Sequence, residues 1–114
     1  MYAVIFEVYP TAEGTAEYLE IAGRLRTFLE NREGFISIER FQSLVDEGKV
    51  LSLSFWESEA AIETWRTLLD HRDAQQKGKS ELFHSYRIRV AEVFRDYTNT
   101  DRSNAPEDSN RELT

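Results

Sequence analysis

The fold is decided by an apolar stretch at residues 2–9, YAVIFEVY, in which Glu7 is the only charged residue. Side chains alternate between the two faces of a strand, and here both faces are largely apolar. A strand of this kind is covered on both sides, so the stretch predicts a central strand of a sheet. The turn formers Pro10 and Gly14 follow it.

Three further elements follow from periodicity and turn signals. Apolar residues recur at helical spacing in the first of them: Tyr18, Ile21, Ala22, Leu25, Phe28 and Leu29. Gly34 stops this helix. Residues 35–42 and 50–56 then predict two strands joined by a turn at 46–49, which together make an antiparallel hairpin.

The second half of the chain predicts a helix, a short helix and a strand. Ser58 can cap a helix with one apolar stripe, which consists of Ala61, Ile62, Trp65, Leu68 and Leu69. We expect this helix to end near Asp70 or His71, and a separate short helix to follow at about residues 73–77, ended by Gly78. The last strand has His84, Tyr86, Ile88, Val90 and Phe94 on one face and Arg87, Arg89 and Arg95 on the other.

The order strand, helix, strand, strand, helix, strand is that of the ferredoxin-like α+β fold, with helices on one side of a four-stranded antiparallel sheet. One domain over residues 1–97 is predicted, followed by a disordered tail at 98–114, where Leu113 is the only large aliphatic residue. Because the helices leave one apolar sheet face bare, we expect a homodimer in which two sheets pack face to face.

Composition excludes several classes of function. The 14 Lys and Arg against 21 Asp and Glu give a net charge of −7, which disfavours nucleic acid and anionic membranes as partners. The absence of cysteine and the wide separation of two histidines make a metal site improbable. The first nine residues are too short for a signal peptide or membrane span, so a cytoplasmic enzyme or binding protein is expected.

Several segments resemble the antibiotic biosynthesis monooxygenase domain over roughly residues 1–97. They are Gly34-Phe35-Ile36-Ser37, Phe55-Trp56-Glu57-Ser58, the Trp65 position, His71 with Ala74-Gln75, and Tyr86-Arg87-Ile88-Arg89-Val90. The resemblance implies a dimeric α+β barrel and oxidation of an aromatic or quinol-like substrate by molecular oxygen, with no metal or flavin cofactor. The alternatives are a non-catalytic small-ligand-binding or stress-related barrel and, less favoured, a heme-degrading enzyme.

Heme degradation is disfavoured by the residues that occupy the matching positions. In that branch of the family, an Asn, a Trp and an iron-ligating His are used, and the resemblance matches them to Glu7, Trp65 and Gln75. Glutamine is a poor iron ligand compared with imidazole. His71 lies four residues earlier, and a helix would point it elsewhere.

Cofactor-independent oxidation needs a base and a shielded cavity. Glu7 is one candidate base, since burial on a central strand would raise its pKa. The alternative for Glu7, at even odds, is an exposed carboxylate or one paired with Arg87 or Arg89. His71 is the other candidate base, and its alternative is a helix-end or capping residue.

Four residues are candidates for substrate binding: Trp56, Trp65, Gln75 and Tyr86. Trp65 could stack on an aromatic ligand, although its place in the apolar stripe favours simple core packing. Trp56 shares a strand face with two serines that would leave room for a ligand or for a partner's side chain. The Tyr86 hydroxyl could orient a substrate oxygen, or the ring could pack in the barrel.

Overall fold

The structure of the chain is a computed structural model that describes residues 1–12, 14–76 and 83–113, with side chains along the second helix as far as residue 67. Its elements, in chain order, are β1 (Tyr2–Pro10), α1 (Thr15–Leu29), β2 (Phe35–Gln42), β3 (Val50–Trp56), α2 (Glu59–Gln76), β4 (Phe83–Glu92) and α3 (Glu107–Leu113). The first six form a ferredoxin-like α+β fold, which confirms the predicted fold class.

The four strands form one antiparallel sheet in the order β2-β3-β1-β4. β1 therefore lies inside the sheet, as its two apolar faces predict, while β2 and β4 are the edges. The pairing aligns residues in rows across the strands. In one such row Ile5 lies opposite Leu53 and Arg89, and Leu53 lies opposite Glu39.

The sheet has one face covered by helices and one face that is not. On β1 the covered side holds Val4, Phe6 and Val8, whose exposed fractions are 0%, 2% and 0%. They form the core with residues of α1 and α2, among them Tyr18, Leu29, Ile62 and Trp65. The other side of the sheet, called the open face below, presents the alternate residues of each strand, including Ile5 and Glu7 on β1.

An aromatic cluster lies between the sheet and the helices, and Phe6 is at its centre. The Phe6 ring contacts the rings of Trp65, Phe83 and Tyr86, with centroids 5.7, 5.9 and 5.6 Å away. Tyr18 of α1 adds an edge-to-face contact to Phe83 at 5.4 Å. Edge-to-face pairs of this kind stabilise beyond the area they bury, so the cluster joins α1, α2, β1 and β4.

Gly34 makes the tight connection between α1 and β2. Its φ of 84° lies in the left-handed region that side chains disfavour. A Cβ at this position would lie 2.7 Å from the Ala61 Cβ, so the turn also needs glycine to approach α2. The Gly34 carbonyl accepts a hydrogen bond from the Glu57 amide at 2.7 Å, which fixes the start of β2 against the end of β3.

The second helix is longer than predicted. The expectation of an end near Asp70 or His71 and a separate helix at 73–77 is wrong, because α2 runs without a break to Gln76. The polar run at 70–73 contains neither glycine nor proline, and polarity alone does not end a helix. None of the described helices combines the length and hydropathy that a bilayer span requires.

The chain after β4 also differs from expectation. Phe94 and Arg95, predicted on the last strand, lie beyond its end at Glu92. The division at residue 97 stays a prediction, but the segment predicted to be disordered contains turns and the short helix α3. Its order comes from local polar hydrogen bonds centred on Arg102 instead of apolar burial, which hydrophobic patterning does not detect.

Candidate ligand site

A cleft of about 270 Å³ lies between α2 and β4 on the covered side of the sheet. Its apolar wall consists of Ile62 and Trp65 from α2 and Ile88 and Val90 from β4. Residues 62 and 65 share a helix face, and residues 88 and 90 share a strand face, so regular secondary structure positions all four. The volume lies just below the usual range of about 300–1,000 Å³ for ligand pockets and suits a molecule of one or two rings.

Trp65 forms the inner end of this cleft. Only 3% of the residue is exposed, and its ring meets Phe6 nearly at right angles, with an interplanar angle of 78°. The packing holds the indole in one orientation while one edge of it remains in the cleft wall. Both interpretations of Trp65 from the sequence are therefore compatible with its position, since it is a core residue that also lines the cleft.

Charged side chains of α2 form the rim. Glu59, Glu63 and Arg66 line the cleft and follow each other at helical spacing of three or four residues. All three are exposed. They can contact the polar end of a molecule whose rings enter the apolar part, and a rim carboxylate can accept a proton from such a molecule.

Tyr86 lies on the same side of the sheet as Trp65. It is 45% exposed, and its ring packs on Phe6 and Phe83 at 5.6 and 5.8 Å. Val90, which lines the cleft, lies four residues farther along the same face of β4. Tyr86 therefore belongs to the aromatic cluster around Phe6, and its exposed part lies on the same face of β4 as the cleft residue Val90.

Trp56 lies elsewhere. It is fully buried, its indole N–H donates to the Ser54 hydroxyl at 2.8 Å, and its ring contacts Phe35 at 5.2 Å. Its row of the sheet contains Tyr2, whereas the row of Tyr86 contains Val8. The six residue steps from Tyr2 to Val8 along β1 span about 20 Å. Within the described structure Trp56 is a core residue at the other end of the sheet.

Glu7 lies on the open face, so the sheet separates it from the cleft. Its carboxylate pairs with the Lys49 ammonium and the Arg89 guanidinium, each at 3.2 Å. The hydrogen bond from Lys49, aided by the positive charges of Lys49, Arg89 and Arg87, holds the pKa of Glu7 below its ordinary value, although desolvation opposes this. The structure therefore favours the paired carboxylate over the base with a raised pKa.

We expect the Glu7 carboxyl to titrate at a lower pH than an ordinary glutamate, as ¹³C NMR of the side chain can measure. Since its pKa is lowered by folding, its ion pairs stabilise the protein above the unfolded-state pKa and are lost as pH falls through the folded-state pKa. The variant Glu7→Gln should therefore flatten the loss of stability in acid. Glu47→Gln, at an exposed glutamate of the β2–β3 hairpin, is the matched control, and a Glu7 midpoint above the ordinary glutamate value contradicts the assignment.

His71 and Gln75 lie on the last turns of α2, four residues apart on one continuous helix. Their side chains fall outside the described part of the chain. The roles of His71 as base and Gln75 as binding residue therefore stay predictions. In the ranges that are described, no group of three His, Asp or Glu side chains converges as a metal site requires.

Sequence reasoning missed most of the cleft. Ile62 is predicted only as part of an apolar stripe, and the pattern does not single out Glu59. Glu63, Arg66, Ile88 and Val90 were not recognised as lining residues. The signal was present at the border of the α2 stripe, where residues 59, 63 and 66 flank Ile62 and Trp65 at helical spacing. What the sequence alone could not supply is which strand lies opposite that border.

The fold and the cleft together define a small α+β domain of ferredoxin-like architecture with an apolar cleft between α2 and β4. Residues 1–77 match the family model of antibiotic biosynthesis monooxygenases, and the chain belongs to this family. A protein of Bacillus subtilis, the uncharacterized protein YqjZ, is 35% identical over 94 residues, which cover 82% of this chain and 80% of that protein.

A second relative has a named activity. Jasmonate monooxygenase ABM of Pyricularia oryzae is 44% identical over 93 residues, which cover 82% of this chain. The match spans only 43% of that protein's length. The chain thus corresponds to less than half of this relative.

Solved structures with very different chemistry share the fold. SnoaB of Streptomyces nogalater, a cofactor-independent oxygenase, superposes with a TM-score of 0.64 at 12% identity and covers 83% of this chain and 94% of its own. The heme-degrader MhuD of Mycobacterium tuberculosis superposes with a TM-score of 0.60 at 18% identity and covers 86% and 100%. At such identities the likeness shows the fold alone.

Proposed function

We propose that this protein is a small monooxygenase that oxidises an aromatic or quinol-like molecule with molecular oxygen in the cleft between α2 and β4. The observation that supports this most directly is the cleft itself, with its apolar wall ending at Trp65 and its charged rim. An apolar interior with a few polar groups at its mouth is typical of small-molecule sites.

The chemistry requires a proton acceptor and a place that excludes water. Removal of a proton from an acidic C–H or O–H group leaves an electron-rich anion that can pass an electron to oxygen. When a CH₂ group becomes a carbonyl, the substrate supplies four electrons, one oxygen atom enters the product and the other leaves as water. Glu63 at the rim and His71 farther along α2 are the proposed proton acceptors. Glu7 has no part in this proposal, because it lies behind the sheet with a lowered pKa.

The relatives guide the choice of substrates. The jasmonate monooxygenase named above makes a jasmonate a reasonable test compound beside hydroquinones. SnoaB shows that the same fold supports oxygenation without a cofactor. The substrate class proposed here is therefore a small, ring-containing molecule with an acidic hydrogen.

Filling the cleft tests the proposed site. Val90 is 49% exposed and lines the cleft, so the tryptophan of Val90→Trp should fill much of the cleft. With a compound that the wild-type protein oxidises, the rate of oxygen uptake should fall at least tenfold. Oxygen consumption is measured with an electrode in the presence of a chelator. Because Val90 is half exposed, the unfolding temperature should change little.

Val45→Trp is the matched control, since Val45 is 98% exposed on the β2–β3 hairpin and remote from the cleft. Unchanged uptake in Val90→Trp would place the site elsewhere. If no compound supports uptake but several quench Trp65 fluorescence, the protein is a small-ligand-binding member of the family and not an oxygenase.

We also propose that the working form is a homodimer joined through the open face. The centre of this face is apolar, with half-buried Ile5, Leu51, Leu53 and Phe55 and no helix above them. A second sheet laid on it would bury these residues, and burial of apolar area stabilises association by about 25 cal/mol per Å² before the costs of association.

Charge at the two edges favours one orientation of this dimer. Arg87 and Arg89 lie at the β4 edge of the open face, and Glu39 lies at the β2 edge. A two-fold axis parallel to the strands would place the β4 edge of one protomer against the β2 edge of the other. Since Arg89 and Glu39 share a row of the sheet, this axis would bring each arginine to the partner's glutamate.

A further inference from the structure

The C-terminal segment of residues 93–113, called the arm below, is held together by its own hydrogen bonds. Arg102 is the centre of the arm. Its guanidinium donates to the Asn110 side chain at 3.1 Å, to the Ser109 hydroxyl at 2.8 Å and to the Thr98 carbonyl at 3.2 Å. It also lies 4.9 Å from the centroid of the Tyr97 ring. The arm therefore has a defined local shape.

The arm leaves the domain at the β4 edge. The Val93 amide makes a last hydrogen bond to the Met1 carbonyl at 2.9 Å. The molecule measures 58 × 34 × 20 Å and has a radius of gyration of 16.9 Å, against about 13 Å for a compact domain of this length. An elongation of this kind is what a projecting arm produces.

Phe94 is the most prominent apolar group on the arm. Its residue is 85% exposed, next to Arg95, whose guanidinium lies 5.3 Å from the ring centroid. An exposed phenylalanine is unfavourable on a surface that stays in water. Beside a cation, it is well suited to bind a surface that is both apolar and acidic.

A surface of that kind lies at the opposite edge of the sheet, around the start of β2. Ile36 is 46% exposed there, and Phe28, near the end of the preceding helix, is 40% exposed with the Arg32 guanidinium 3.8 Å from the centroid of its ring. Three exposed acidic residues, Glu30, Glu33 and Glu57, lie close to these positions in the chain or in the strand pairing. Phe94 cannot reach this surface on its own protomer, since it lies only two residues beyond the end of β4 and three strand spacings of about 4.8 Å separate the two edges.

In the dimer proposed above, the surface comes within reach. Glu92 at the end of β4 and Phe35 at the start of β2 belong to the same row, through Tyr2 and Trp56. A two-fold axis parallel to the strands keeps every residue at its own row, so the end of β4 meets the partner's start of β2. Phe94 lies two residues beyond that row.

We propose that the arm crosses to a second copy of the chain and seats Phe94 against the partner's Ile36, with Arg95 facing the partner's acidic residues. The inference rests on the proposed face-to-face dimer and adds to it a contact from outside the sheet. In a dimer, each arm would contact the other protomer, one arm at each edge of the interface between the two sheets.

Cysteine cross-linking tests this directly, because the chain contains no cysteine. The double variant Ile36→Cys/Phe94→Cys should form a covalent dimer under mild oxidation, as seen on a non-reducing gel, whereas each single variant should not. A mixture of the two single variants should also yield the covalent dimer. A bond within one chain is excluded, since a disulfide needs Cα atoms within about 7 Å.

Val45→Cys/Phe94→Cys is the matched control, because Val45 is 98% exposed at the far end of β2. Cross-linking of the Ile36 pair no faster than this control overturns the arm contact. Sedimentation separates the two proposals: a wild-type monomer rejects the dimer and the arm together, whereas a dimer without the cross-link rejects the arm alone. Phe94→Ser should raise the dimer dissociation constant about tenfold, and an unchanged constant also contradicts the contact.

Discussion

Replacement of Phe6 by alanine is expected to lower the free energy of unfolding by about 3–5 kcal/mol. The residue is 2% exposed on an interior strand, and its ring contacts Trp65, Phe83 and Tyr86. Alanine would leave a cavity bordered by three rings that the sheet and α2 hold in place. Such a cavity collapses only partly, so both the lost transfer free energy and the void contribute.

Urea unfolding followed by circular dichroism measures this loss, at one protein concentration for all variants because a dimer's stability depends on concentration. Phe6→Leu keeps most of the volume and should cost much less. Leu19→Ala removes an apolar side chain from an α1 position that is 55% exposed, and serves as control. Equal losses for Phe6→Ala and Leu19→Ala would show that Phe6 is not the centre of the core.

Replacement of Leu53 by arginine is expected to convert the proposed dimer into a monomer. Leu53 lies at the middle of the open face, between Ile5 and Glu39 in its row. The new cation would be buried against the apolar centre of the partner's sheet, while the neighbouring Glu39 is already the proposed partner of Arg89, and an incompletely paired buried charge costs several kcal/mol. The monomer itself should stay folded, since the open face is outside the helix-covered core.

Sedimentation equilibrium at micromolar concentration measures the change in mass, and circular dichroism checks that the variant is folded. Leu44→Arg is the matched control, because Leu44 is 99% exposed at the tip of the hairpin. A second test uses charge reversal: Glu39→Arg should weaken the dimer, whereas Glu47→Arg, at an exposed position of the β2–β3 hairpin, should not. A wild-type protein that sediments as a monomer contradicts the proposed interface.

The strands could be predicted from the sequence almost to the residue. Alternation and turn residues place β2 and β3 at 35–42 and 50–56, as the structure has them. The helix α2 was divided wrongly because polar residues after Leu69 resemble an end, although helix propensity continues through Ala74. Local signals thus locate strands better than they locate the end of a helix.

The candidate site could be predicted only in part. The pattern on β1 shows that Glu7 shares a face with Ala3 and Ile5, but not which face the helices cover. That choice depends on the handedness of the whole fold, which residue periodicity does not contain. The Glu7 partners illustrate the limit, since Lys49 and Arg89 come from opposite neighbours of β1.

The position of β1 between β3 and β4 has a consequence for folding during translation. The first strand pairs with the last, and the Glu7–Arg89 contact joins residues 82 positions apart. Pairings this distant in sequence form slowly, because closing the long loop between them costs conformational entropy before any stabilising contact is made. During translation β1 lacks its β4 partner until residues 83–92 have emerged, so pairing of the sheet is expected to be completed only after that point.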